Sequence, residues 1–128
     1  MTDLVACLGT GKGTWSGVLK LVNKPEFENV FLVLNEWTMK TLQLTRQKVN
    51  FVIINSEDKT TSIRDSIVKQ LHGRINDFEV AVNMDSGAGK EHTAMITALM
   101  QLGLALRFIT IDGENVEEVS FCLKMPTE

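Results

Sequence analysis

Two glycine-rich stretches contain the residue types and spacing that suit phosphate binding. The first runs from Gly9 through Thr10, Gly11, Lys12 and Gly13 to Thr14, and the second runs from Asp85 through Ser86, Gly87, Ala88 and Gly89 to Lys90. Glycines let a backbone approach a ligand closely, and N–H groups at a helix start attract anions. The lysines add charge and the hydroxyls add donors. We therefore expect an anion-binding site, with the alternative that the glycines only form tight turns left open.

Known nucleotide motifs fit these stretches poorly. A P-loop needs a glycine, four residues and then Gly-Lys-Ser/Thr. Here Glu91 follows Gly89-Lys90, and Met84 stands where the first glycine belongs. The first stretch has a glycine at every second position, which is not the G-x-G-x-x-G pattern of dinucleotide binders. The sequence thus disfavours both ATP hydrolysis and NAD binding.

The elements that must position these stretches alternate along the chain. Apolar runs of the kind found in fully buried strands precede and follow segments with helical spacing. The predicted strands are Leu4–Leu8, Val30–Leu34, Phe51–Asn55, Phe78–Val82 and Leu104–Ile111. After the turn signal Asp112-Gly113, a sixth strand is predicted at Val119–Leu123, with an antiparallel direction as one possibility. This alternation predicts an α/β fold: a Rossmann-like, doubly wound, mainly parallel sheet of five to six strands with helices on both faces.

The topology predicts where the two glycine-rich stretches lie. In doubly wound sheets, ligands bind beyond the carboxyl ends of the strands, where the strand order reverses. If the first strand is central, the second and third lie on one side of it and the fourth on the other. The loops after the first and fourth strands then flank one crevice, and these loops are the two glycine-rich stretches.

Length and composition restrict the class of protein. The chain has 128 residues, 44% of them hydrophobic, and a net charge of -3. We expect one globular domain, 1–128, with no membrane span and no signal peptide, and therefore a cytoplasmic protein. An acidic chain is a poor candidate for general DNA coating. Cys7 and Cys122 are expected to be reduced, and no metal-ligand spacing is present.

The residues from Leu4 to Leu21 and from Val80 to Ile109 resemble the CARF domain (CRISPR-associated Rossmann fold). That family has a first loop beginning with Gly-Thr or Gly-Ser. Its fourth-strand loop is of the type Asp/Asn-x-Ser/Thr-Gly-Gly-x-Lys. Asp85, Ser86, Gly87, Gly89 and Lys90 match the second motif, while Ala88 stands where a second consecutive glycine often lies.

The resemblance implies a homodimer that binds a cyclic oligoadenylate across its two-fold axis, with cyclic tetra-adenylate favoured and no cofactor. CARF proteins usually carry an effector domain, and we expect none in this chain. A stand-alone member looks like either a sensor subunit or a ring nuclease of type III CRISPR antiviral signalling. The apolar helix predicted at Ala88–Leu102 has more than one apolar face, which also favours a dimer.

Two residues are candidates for catalysis if the ligand is cut. Ring nucleases of this family work without metal: the ribose 2′-OH attacks its own phosphodiester and leaves a 2′,3′-cyclic phosphate. Lys90 and the loop N–H groups can stabilise the developing charge, and His92 can act as an acid or base. Two alternatives stay open: a nucleotide-using enzyme such as a transferase, and a non-catalytic dimeric subunit.

Overall fold

A mostly parallel, six-stranded sheet forms the centre of the molecule in the computed structural model, which describes residues 2–42 and 48–119. The strand order is β3-β2-β1-β4-β5-β6, and all neighbouring pairs are parallel except β5 and β6. This arrangement confirms the predicted doubly wound α/β fold. The strands are β1 (Thr2–Cys7), β2 (Phe27–Leu34), β3 (Val49–Ile53), β4 (Glu79–Asn83), β5 (Ala105–Asp112) and β6 (Asn115–Glu118).

Helices cover both faces of the sheet. They are α1 (Trp15–Val22), α2 (Glu36–Thr41), α3 (Thr60–Leu71) and α4 (Gly89–Gln101). Leu4 and Ala6 of β1 pack in the cluster that contains α1, whereas Val5 and Cys7 pack in the cluster that contains α3 and α4. Because successive side chains of β1 enter cores on opposite faces, the strand reads as a continuous apolar run. Within the described ranges, no helix combines the length and apolar character needed to cross a membrane.

The strand order reverses at β1, as the sequence predicts. β1 lies between β2 and β4, and Ala6 near its carboxyl end is paired with Asn83 at the end of β4. The chain therefore leaves both strands at the same edge of the sheet. The loops that follow them are the two glycine-rich stretches, which emerge side by side.

The position predicted for the sixth strand is wrong in the part that the structure describes. β6 spans Asn115–Glu118 and runs antiparallel to β5, while Val119 lies just beyond it. Positions 120–123 of the predicted strand lie outside the described residues. The two-residue turn at Gly113, which has a φ of +62°, returns the chain at once. A largely exposed edge strand needs no apolar run, so a search for apolar residues passes over it.

Candidate functional site

A hydroxyl pair joins the two glycine-rich loops across the crevice. The N–H of Gly9 donates to Oγ of the buried Ser86 at 2.9 Å. Oγ1 of Thr14 lies 2.6 Å from Ser86 Oγ and 3.1 Å from the Gly11 carbonyl oxygen. Since Thr14 has one hydroxyl proton, it cannot donate to both. If Ser86 donates to Thr14 and Thr14 donates to Gly11, both hydroxyl groups have a donor role and an acceptor role.

The two loops also touch through their backbones. A Cβ on Gly9 would lie 2.8 Å from Cα of Gly87, and a Cβ on Gly87 would lie 2.6 Å from Sγ of Cys7. Gly87 moreover has a φ of +99°, which side chains rarely tolerate. Packing and backbone conformation therefore account for glycine at these two positions.

No such requirement applies to three other glycines of the loops. At Gly11, Gly13 and Gly89, no described atom beyond the local backbone lies within 4 Å of the position that a Cβ would occupy, and none of the three has a positive φ. Gly11 has an ordinary extended backbone, with a φ of -74°. All three are exposed, and Gly11 and Gly13 leave their backbone open to the crevice, which is the arrangement that a closely approaching ligand needs.

A buried amide and a hydroxyl fix the carboxylate of Asp85. Asn83 is fully buried, and its Nδ2 donates both to Asp85 Oδ2 at 2.9 Å and to the Ile109 carbonyl oxygen at 3.0 Å. Thr110 donates its hydroxyl to the same Asp85 oxygen at 2.6 Å. Sequence reasoning missed both partners. Asn83 had a signal, because it is a polar residue that directly ends an apolar strand, but Thr110 had none.

An open cavity of about 440 Å³ lies between the loops. Nine of the residues predicted to bind ligand line it, together with Glu91, which sequence reasoning missed. The nine are Gly9, Thr10, Gly11, Gly13, Thr14, Asp85, Ser86, Gly87 and Ala88. Two of the lining residues, Asp85 and Glu91, are acidic, and no lysine or arginine of the described chain lines the cavity. The lining itself therefore offers an anion N–H and hydroxyl donors.

The start of α4 supplies such donors. The helix has 13 residues, and its N-cap residue Ala88 has no side chain that could bond the N–H groups of the first turn. Those N–H groups have no partners within the helix, and they carry the positive end of its dipole. Because Ala88 lines the cavity, the helix start adjoins it.

The predicted lysines lie outside the cavity lining. Nζ of Lys12 is 5.8 Å from the ring centroid of Trp15 and 5.9 Å from that of Trp37, within the range of a cation–π interaction. Trp15 is itself fixed, because its Nε1 donates to the Gly9 carbonyl oxygen at 2.7 Å. Lys90 is half-buried in the first turn of α4, next to Gly89, which also does not line the cavity.

His92 supports the second loop. Its Nε2 lies 2.7 Å from the Ser86 carbonyl oxygen. A carbonyl oxygen can only accept, so Nε2 must carry the hydrogen and donate it. The contact places one ring nitrogen against the backbone, and the side chain is not among those that line the cavity.

The thiol beneath the loops is unreactive. Burial, with a smaller contribution from the negative charge of Glu91, raises the pKa of Cys7 to about 12. The thiol therefore stays protonated near neutral pH and is a poor nucleophile. Nor do three or more His, Cys, Asp or Glu side chains come together as a metal site within residues 2–42 and 48–119.

Comparisons with known proteins give no further identification. No protein-family model matches the chain, and no curated protein matches its sequence. Function must therefore be inferred from the residues and the geometry of the crevice.

Proposed function

We propose that the protein is a CARF-like domain that binds a cyclic oligoadenylate, with cyclic tetra-adenylate favoured, in the cytoplasmic signalling of a type III CRISPR system. The observation that carries the proposal is the open backbone of Gly11, Gly13 and Gly89 beside the uncapped start of α4. Packing explains the glycines at positions 9 and 87, but it does not explain these three.

The mixed chemistry of the cavity supports a ribose–phosphate ligand. A phosphate can accept from the N–H groups at the helix start and from the loop backbone. The carboxylates of Asp85 and Glu91, which would repel a bare anion, can accept hydrogen bonds from ribose hydroxyls. A nucleotide presents both kinds of group at a short separation, whereas inorganic phosphate presents one.

The proposal includes a homodimer, because the family resemblance implies a ring held across a two-fold axis. One chain already covers most of α4: Met95 and Leu99 are buried, Ile96 is half-buried, and Met100 is 63% exposed. The dimer is therefore proposed from the resemblance more than from an uncovered helix face. Light scattering at micromolar concentration should give twice the chain mass, and a monomer in the presence of ligand contradicts the dimer.

If the ring is cut, the proposed step needs no metal. The ribose 2′-OH gives up its proton to solvent as its oxygen forms a bond to phosphorus, the bond from phosphorus to the 5′ oxygen breaks, and the 5′ oxygen takes up a proton from solvent. We assign the charge stabilisation to Lys90 and the N–H groups of α4, since His92 Nε2 already donates to Ser86. Lys90 reaches the phosphate only by extending from the first turn, because it does not line the cavity itself.

Binding and cleavage of labelled cyclic tetra-adenylate test the proposal together. We expect Lys90→Ala to weaken binding by about 10- to 150-fold, the loss of one charge-assisted hydrogen bond. Lys69→Ala, which removes an exposed lysine of α3, is the matched control and should bind like the wild type.

Four results contradict parts of the proposal. If Lys90→Ala and wild type bind with equal affinity, Lys90 is not part of the site. If the wild type binds a mononucleotide but no cyclic oligoadenylate, the protein is a nucleotide-using enzyme instead. Single-turnover cleavage in EDTA tests the chemistry. Loss of all activity there rejects the metal-free step, and a larger defect in His92→Ala than in Lys90→Ala reverses the assigned roles.

A further inference from the structure

A second, larger cavity opens at the same edge of the sheet. Its volume is about 690 Å³, and it lies beyond the carboxyl ends of β2 and β3. One wall is the indole of Trp37, which is 52% exposed, and the floor includes Ile53 and Ile54. The other seven lining residues are polar or acidic, so the surface that can contact a flat organic ring is Trp37 with the two isoleucines.

Three carboxylates surround this cavity. Glu36 is paired with Lys40 at 3.0 Å, whereas Glu57 and Asp58 make no ion pair with any residue that the structure describes. Both cavities carry carboxylates, and no lysine or arginine of the described chain lines either of them. The first adjoins the uncapped start of α4, whereas at the second the side chain of Asn35 already caps the start of α2 by accepting from the Thr38 N–H. The cavity therefore favours the uncharged part of a nucleotide and excludes the charged part.

A tryptophan ridge, formed by Lys12, Trp15 and Trp37, connects the lining of this second cavity to the lining of the first. The two indole centroids are 6.4 Å apart, and Lys12 lies over both rings. Trp37 lines the second cavity, while Trp15 donates to Gly9, which lines the first. A ligand that spans this ridge has its ends in cavities of different chemistry: one with N–H and hydroxyl donors, the other with an aromatic wall and acceptors.

We propose that the second cavity binds the amino-purine base of the ligand whose phosphate lies in the first, with Trp37 as the stacking surface. This inference rests on the proposed function and adds the base-recognition site to it. A base stacked on an indole gains affinity without regard to its identity. The carboxylates supply the discrimination, because they can accept from an exocyclic amino group and repel a carbonyl oxygen in the same place.

Lys12 has a defined role in this arrangement. Its ammonium group is held over the ridge by the two rings, at the boundary between the cavities. A phosphodiester that crosses the ridge passes beside this charge, which no acidic residue of the described chain neutralises. Lys12 thus serves the linkage between base and phosphate, although it lines neither cavity.

Trp37→Ala measures the stacking. Binding of cyclic tetra-adenylate should weaken about tenfold, as expected for the loss of one base–aromatic stack, and Trp37→Phe should recover most of it. Phe78→Ala is the matched control, because Phe78 is 87% exposed and lies at the opposite edge of the sheet, at the start of β4. Wild-type affinity in Trp37→Ala overturns the stacking role.

The double variant Glu57→Gln with Asp58→Asn measures the base discrimination. Wild type should prefer cyclic tetra-adenylate over the analogue in which hypoxanthine replaces each adenine, because hypoxanthine has a carbonyl in place of the amino group. The carboxamides can donate as well as accept, so the preference should fall about tenfold or more in the double variant. Glu117→Gln in β6 is the control.

The outcomes separate this inference from the function on which it rests. Failure of wild type to bind any cyclic oligoadenylate rejects both. Tight binding that depends on Lys90, with no effect of Trp37→Ala and equal affinity for the hypoxanthine analogue, rejects only the base-recognition site. If Trp37→Ala binds more weakly while the double variant keeps the base preference of wild type, Trp37 stacks on the base but the carboxylates do not select it.

Discussion

The two loops of the crevice differ in how they are held. The loop after β4 is fixed from several directions: Asn83 and Thr110 bond Asp85, and His92 bonds the Ser86 carbonyl. The loop after β1 is exposed from Thr10 to Thr14. Its outward contacts are the bonds to Ser86 and the indole of Trp15. We call the loop after β4 the platform and the loop after β1 the cover.

This difference separates two uses of glycine that look alike in the sequence. Gly9 and Gly87 stand where the cover meets the platform, and no side chain fits between them. Gly11 and Gly13 stand at the exposed part of the cover, where space is open. Substitutions at the first pair should lower the stability of the fold, whereas substitutions at the second pair should change only the binding of the proposed ligand.

The largest effect should come from Gly87→Ala. The added Cβ would lie 2.6 Å from Cys7 Sγ in a backbone with a φ of +99°. We expect the free energy of unfolding to fall by about 2–4 kcal/mol, from strain and overpacking together. Urea denaturation measures it. Gly11→Ala, with open space and a φ of -74°, is the control and should change stability by less than about 0.5 kcal/mol.

One result would contradict the distinction between the glycines, and a double variant tests its cause. If Gly87→Ala is as stable as Gly11→Ala, the loop after β4 can shift to accommodate the added Cβ more easily than its contacts indicate. The double variant Cys7→Ala with Gly87→Ala removes the clash with sulfur but leaves the φ strain. It should therefore recover part of the loss caused by Gly87→Ala.

A smaller effect is expected at the support of the platform. Asn83→Ala removes the amide donor to the Ile109 carbonyl and two of the three hydrogen bonds that hold Asp85, so stability should fall by about 1–3 kcal/mol. Thermal and urea unfolding measure the change. Asn115→Ala at the exposed start of β6 is the control. A neutral Asn83→Ala would show that the platform does not depend on its buried amide.

The smallest change in stability is expected for His92, whose role in positioning the loop can be tested apart from any role in catalysis. His92→Gln keeps an N–H that can donate to the Ser86 carbonyl, and His92→Ala removes it. We expect a loss of about 1 kcal/mol in His92→Ala and at least partial recovery in His92→Gln. Amide hydrogen exchange at Gly87 and Ala88 gives the local readout. Wild-type exchange in His92→Ala would show that His92 does not support the loop.

The sequence predicts the fold well because the evidence for it is local. Continuous apolar runs such as Val30–Leu34 indicate strands covered on both faces, and their alternation with helices restricts the topology. The crevice follows from that topology. The exposed strand β6 is the exception: it gains most of its stability from backbone pairing with β5, and such pairing leaves little trace in side-chain type.

The site is predictable only in part, because contacts between distant residues decide its details. The glycine-rich stretches indicate nine of the lining residues, but not that Lys12 lies over two indoles. That contact depends on where α2 places Trp37. The pairing of Thr110 with Asp85 joins positions 25 apart through neighbouring strands. The spacing of residues along the sequence cannot predict such a contact.

The exposed part of the first loop has a practical consequence for observing the protein at work. Gly11 has no described neighbour within 4 Å of where its side chain would begin, yet it lines the first cavity. A cysteine placed there can carry an environment-sensitive dye without disturbing the packing at Gly9. Trp15 and Trp37 lie nearby and quench many dyes on contact. Because Gly11 lines the crevice, we expect the dye to compete with an entering molecule, and its displacement from the crevice should change its emission.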